Sequence, residues 1–302
     1  MMSFFKEEAR GSWKFIHFHN KQEKRVRIVG KKHYNIILLA ILIVVSACEY
    51  KLKPNDEEGH TIEVRRYDRL ESRYLTTGDY SALQQMNTDY PIETRTLIER
   101  MLQLGPVNDP NISKKFLMFY QDSTLQNLIS DAEAEYANMD DINEQLENAF
   151  QNLEKWIKDI HRPQFYAQIG ALDQSIIVGE NSVGISLDKY MGKDYPLYKK
   201  YYSQQQRESM RRDQIVPDCL MFYLMSVYPM DNFDTRTQLE RDLHVAKIMW
   251  VVNKAMEKLA FNTQFYWTVD KYVNLRKGMG VKELLEEKDY SQLIKLHKEL
   301  NP

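Results

Sequence analysis

Apolar positions recur along this chain with two different periods, and the change of period divides it. From about Asp79 to Ile160 they fall at helical spacing. Asp79-Tyr80-Ser81-Ala82-Leu83 opens one helix, and Tyr90-Pro91-Ile92-Glu93 opens another with proline in its first turn. Gly105 to Pro110 marks a break. Ser123 to Ala137 is again helical. Ile142, Leu146, Ala149, Phe150, Leu153, Trp156, Ile157 and Ile160 then form one stripe. Ahead of this region, Ile62-Glu63-Val64 predicts a short strand.

After Arg162-Pro163 the period shortens. Phe165–Ile169, Ser175–Gly179 and Val183–Leu187 predict three strands, the last two joined as a hairpin by the Gly179–Ser182 turn. Tyr190 to Tyr202 is loop-like and rich in tyrosine. Pro217-Asp218 opens an apolar helix ending before Pro229. Thr237-Gln238-Leu239-Glu240 fits a capping box, in which threonine and glutamate satisfy each other's backbone N–H groups. The helix it starts runs to about Leu259 and is apolar on most sides, so it is predicted central and buried. Two more helices, near Phe265–Leu275 and Val281–Leu300, close the chain. The expected class is α+β and mostly helical. A helical region (61–160) packs as one domain with a small antiparallel sheet and central helix (161–302).

The first 60 residues read differently. Lys24, Arg25, Arg27, Lys31 and Lys32 are followed by the unbroken apolar run Ile36–Val45 and then Ser46-Ala47-Cys48. This order is that of a secretory signal. Val45-Ser46-Ala47-Cys48 resembles a lipobox, which makes Cys48 the lipid attachment point and 1–47 the removed segment. A run this short does not comfortably cross about 30 Å of hydrocarbon at about 1.5 Å per residue. The stretch before the basic cluster is long for a signal, so translation is expected to start nearer Val26 or Val29. Residues 48–60 are polar and read as a tether.

Composition sharpens this picture. The chain has 302 residues and a net charge of −2. Nine of its 41 basic and three of its 43 acidic residues precede Cys48, so the remainder carries 32 basic against 40 acidic side chains. Such an acidic body, outside the cytoplasm, is poorly suited to binding nucleic acid or anionic membranes by charge alone, and no nucleic acid partner is expected. Cys219 is the only other cysteine, sits in an apolar run, and is expected to be a buried, inert thiol.

No nucleophile triad, phosphate loop or dinucleotide fingerprint is present. Asp173, Asp188 and Asp218 are further candidate carboxylates; Asp188 ends a strand before a Tyr/Gly loop, placed to orient a ligand or cap that loop, and Asp218 falls in a helix first turn, where capping alone accounts for it. Lys199, Lys200, Arg207, Arg211 and Arg212, interleaved with tyrosines, predict a solvated face first and a glycan or partner surface second.

Four stretches resemble the gliding motility lipoprotein B (GldB) family. They are Ile169-Gly170 through Val178; Ile185 through Pro196, with Leu187–Asp194 at its centre; Ile215-Val216-Pro217-Asp218; and the helix ending Ala246-Lys247-Ile248-Met249-Trp250. The later Val281–Leu285 is also similar. The resemblance implies a degenerate zincin-like unit, with an edge hairpin above a central helix. The slot of the zinc-binding His-Glu-x-x-His motif reads Glu240-Arg241-Asp242-Leu243-His244. One histidine survives, and arginine stands where the general base would be. No cofactor and no catalysis are expected, with Glu240 and His244 as the weak metal alternative. The implied role is a lipid-anchored scaffold of the cell-envelope motility and secretion machinery, facing the periplasm or the surface. Its partners would be the membrane, through the lipid, and envelope proteins. Alternatives are a metal-dependent hydrolase and a glycan-binding lipoprotein. Ile177, Ile185, Asp188 and Tyr195 are the expected binding face.

Overall fold

In the computed structural model, residues 61–301 are described. The signal segment, Cys48 and the tether lie outside them.

Three helices of the first half have clear end signals: a C-terminal glycine on one and aspartate caps on two. Helix α1 (Tyr67–Thr77) stops at Gly78, whose φ of 70° lets its N–H reach the Tyr74 carbonyl. Helix α2 (Tyr80–Asp89) starts where the Asp79 carboxylate accepts from the Ser81 N–H at 2.8 Å. Helix α3 (Pro91–Arg95) has proline at its first position and runs on as a π-helical turn, Thr96–Met101. Helix α4 (Ile112–Phe119) follows. Helix α5 (Ser123–Glu135) is capped by Asp122. Helix α6 (Asp140–Trp156) buries Ile142, Leu146, Ala149, Phe150 and Leu153 of the stripe read from the sequence; Trp156 is half-buried at its last position, and Ile157 and Ile160 are buried beyond its end.

The sheet differs from expectation. Strands β1 (Gln164–Gln168), β2 (Ile176–Val178) and β3 (Ser182–Ser186) lie in the order β1-β3-β2. The β2–β3 hairpin is antiparallel as expected, but β1 runs parallel to β3, so the sheet is mixed. The reason is that the chain reverses twice, between β1 and β2 and again between β2 and β3, so β3 runs in the direction of β1 when it pairs beside it. Ile62–Val64 is no strand. Their N–H groups go instead to Glu147 (2.9 Å) and Asn143 (3.0 Å) on α6, and only Arg65 makes a single parallel bridge to Tyr166 on β1.

Beyond the sheet, a 3₁₀ turn at Leu187–Lys189 leads to helices α7 (Pro196–Tyr201) and α8 (Gln204–Arg207), in a segment that reads as loop. Helix α9 (Ile215–Val227) begins two residues before Pro217. Helix α10 (Gln238–Ala255) carries the capping box read from the sequence and buries Leu243, Ala246, Ile248, Val251 and Val252. Helix α11 (Gln264–Leu275) follows. The final predicted helix is two, α12 (Val281–Glu286) and α13 (Ser291–Leu300). Between them the Glu287 carbonyl accepts from the buried Lys247 ammonium at 2.6 Å, and its carboxylate accepts from Tyr272 and Arg276.

Packing joins the two halves. Helix α1 lies on β1, while α6 packs against α9 and α10. One core cluster includes residues from Ile62 to Leu293, and residues 60–302 form a single compact unit.

Candidate functional site

The polar groups that the sequence singled out concentrate where β1 and β3 end. Residues Ala171 (φ 50°) and Leu172 (φ 64°) hold left-handed backbone, which costs a non-glycine residue energy unless its surroundings impose it. Asp188 imposes it. Its fully buried carboxylate accepts from the Gly170 N–H at 2.8 Å and from the Leu172 N–H. The neighbouring Ile169 N–H goes to Glu71 on α1 at 2.8 Å. A Cβ at Gly170 would lie 2.8 Å from the Met101 methyl and from the Ser186 hydroxyl, so both side chains would have to shift to admit one.

Burial raises the Asp188 pKa, and its two backbone N–H partners work against that rise. Burial drives Glu71 well above the usual carboxylate range, with the Ile169 N–H opposing and Asp188 adding to the effect. Glu71 Oε1, the Tyr67 hydroxyl and Gln168 Oε1 are buried with no hydrogen-bond partner among the described residues. A neutral Glu71 acid leaves no charge stranded in this interior.

Tyrosines extend the clamp. Tyr198 donates to the Asp188 carbonyl and accepts from the Met191 N–H at 2.9 Å. Tyr136 donates to the Tyr190 carbonyl at 2.6 Å, and Tyr190 donates to Asp218 at 2.8 Å. Burial lifts the Asp218 pKa to about 6. Asp218 therefore takes part in the clamp as well as lying in the first turn of α9. From here the 191–195 loop turns outward. The Gly192 N–H binds the Met210 carbonyl at 3.0 Å, Arg207 donates to the Lys193 carbonyl at 2.9 Å, and Tyr195 donates to Asp131 at 2.7 Å. The loop borders an open groove of about 660 Å³, whose opposite wall includes Asp141, Arg211 and Arg212.

The expected binding face divides. Ile185 lies on the central strand and is fully buried, as is Asp188, so neither presents a side chain to a partner. Ile177 is half-buried on edge strand β2, and Tyr195 is half-buried at the groove. Asp173 is exposed. The tyrosines of this segment form no exposed stack. Tyr195 and Tyr202 each pack edge-to-face on Tyr198, and Tyr201 is the one strongly exposed tyrosine among residues 190–202. Cys219 is buried, and burial pushes its thiol well above the usual range.

Glu240 and His244 face different tasks. The Glu240 carboxylate accepts from the Thr237 N–H at 2.8 Å and from Arg236 at 3.0 Å, and these contacts lower its pKa. His244 Nδ1 pairs with the Tyr290 hydroxyl at 2.8 Å. Burial, aided by the nearby Lys247, lowers the His244 pKa to about 4. Burial also brings Lys247 down to about 8. Among the described residues, no three His, Cys, Asp or Glu side chains are grouped to hold a metal ion.

The motif stretches at 169–178, 187–194 and 215–218 thus meet in one corner. A family model for gliding motility protein GldB matches residues 50–280, well over half the chain. The chain belongs to the GldB family. No curated protein matches it, and no solved structure does. The zincin-like arrangement expected of a GldB relative finds no support: the helix packed most closely against the β2–β3 hairpin is α9, whereas α10 carries Glu240 and His244. Among the described residues, no helix is long and apolar enough to cross a membrane.

Sequence reading missed Glu71 as a member of the GldB corner. Its one signal is a carboxylate one turn after Tyr67 and one turn before Leu75, on the apolar stripe of α1.

Proposed function

We propose that this GldB-family protein is a lipid-anchored, non-catalytic component of the cell envelope that holds partner proteins of the motility and secretion machinery. One observation carries the reading. The carboxylates and tyrosines of the motif stretches are directed inward, onto the backbone of the 170–172 turn and of Asp188 and Met191, and this leaves the 191–195 loop facing outward beside the groove. A carboxylate occupied by two buried N–H groups is not free to move protons or hold a metal, whereas a fixed loop beside a groove suits recognition. Lipidation at Cys48 and export of the body agree with the signal-like order of the first 48 residues.

The test uses cells in which the native copy is replaced. Lys193→Glu with Asp194→Lys reverses two exposed charges of the loop without touching the clamp. Protein level and labelling by radioactive palmitate should stay normal while colony spreading is lost. Cys48→Ala should abolish the label. Full spreading by the loop variant would refute the recognition role, and a label that persists in Cys48→Ala would refute the anchor.

A further inference from the structure

Three tryptophans follow Cys48, and all three lie on partly exposed surface that joins the end of α6 to α10 and α11. The Lys254 ammonium sits over two of their rings, 5.1 Å from the centre of Trp156 and 4.8 Å from that of Trp250. Trp250 in turn lines a groove of about 380 Å³ with Leu259 and Tyr266. Tyr266 packs edge-on against Trp267 at 5.0 Å. Trp267 is 49% exposed, Leu259 48% and Leu275 62%. Trp267, Lys271 and Leu275 follow one another at four-residue spacing on α11, so they share one exposed stripe.

We propose that this aromatic and lysine-rimmed face rests on the surface of a phospholipid bilayer. The inference rests on the lipid-anchor reading above. Rings with one polar edge settle at the boundary between headgroups and hydrocarbon, where the indole N–H stays wet and the ring does not. Lysine stems lie along such a boundary with their ammonium groups among the phosphates. Lysines outnumber carboxylates around the face, Lys254, Lys258 and Lys271 against Glu257 and Asp270. The Asp270 carboxylate is occupied by Trp250 Nε1 and by Asn274, each at 3.0 Å. Lys271 and Lys277 are exposed and make no ion pair among the described residues, and Glu257 is the exposed carboxylate of the rim. The tether suits this occupant too. Residues 49–60 can span at most about 40 Å when extended. The body is thereby kept at an effective concentration on the order of millimolar to the bilayer, so a weak second contact suffices.

The test takes the mature, lipid-carrying protein in vesicles of three parts zwitterionic to one part anionic phospholipid, with or without brominated acyl chains. Trp13 precedes Cys48 and is gone, so all indole emission comes from residues 156, 250 and 267. Brominated chains should quench the emission by roughly half, as expected of interfacial indoles. Trp267→Ala and Lys254→Glu with Lys271→Glu should each reduce the quenching while the protein still floats with the vesicles. Flotation with unchanged emission overturns the proposal and leaves the anchor standing. So does emission that responds to soluble peptidoglycan fragments and not to brominated lipid, since the face would then be a glycan site. Failure to float at all removes both the anchor and this contact.

Discussion

Asp218 and His244 oppose each other as pH sensors, because burial moves each towards its neutral form. Asp218 has a folded pKa of about 6 against an ordinary 3.8, so the folded chain binds its proton more tightly. Its contribution to stability is present at low pH and is lost as pH rises from about 4 to about 6. His244 has a folded pKa of about 4 against an ordinary 6.5, so the unfolded chain binds its proton more tightly. Its share is therefore lost as pH falls from 6.5 to about 4. In the shared window the slopes partly cancel. Urea midpoints from pH 4 to 7 should show Asp218→Asn losing stability on acidification more steeply than wild type. His244→Gln should lose it less steeply. Parallel curves for all three proteins would mean that neither group titrates as its burial requires.

The 169–173 turn depends on a residue sixteen or more positions away. Asp188→Ala removes the acceptor of two N–H groups in a turn that already holds two left-handed residues. A loss of roughly 3 kcal/mol is expected from the stranded donors, with Asp188→Asn losing less. Hydrogen exchange at the Gly170 and Leu172 amides reports this directly, and undiminished protection in Asp188→Ala would contradict the clamp. Sequence made much of the surrounding architecture legible. The α6 stripe, the α10 capping box and the β2–β3 hairpin all follow from short-range spacing. Parallel pairing of β1 does not, because an apolar run carries no direction. Nor does the burial of Asp188 or Glu71, because an aspartate in a corner and one on a loop read alike until their backbone partners are known. The break between α12 and α13 was hidden similarly: it is stabilised by Lys247, forty residues earlier. Tyr195 reads as a binding-face residue and lies at the groove, whereas Ile185 reads as a hairpin edge position and lies on the central strand, because strand order is not written in strand sequence.

At the scale of the molecule, the division at residue 160 is one of pattern and not of structure. Helix α1 packs on β1, α6 packs against α9 and α10, and the core crosses the boundary. Calorimetry of the chain should therefore give a single unfolding transition for residues 60–302. Two resolved transitions would show that the halves fold apart. The strand order has a consequence in time. Strand β3 is the last of the three to be made, yet it is the neighbour of both others. If the chain is exported amino end first, as proposed above, β1 and β2 lack their shared strand neighbour until residue 186 has emerged. The sheet would then close only after more than half of the polypeptide had passed to the far side.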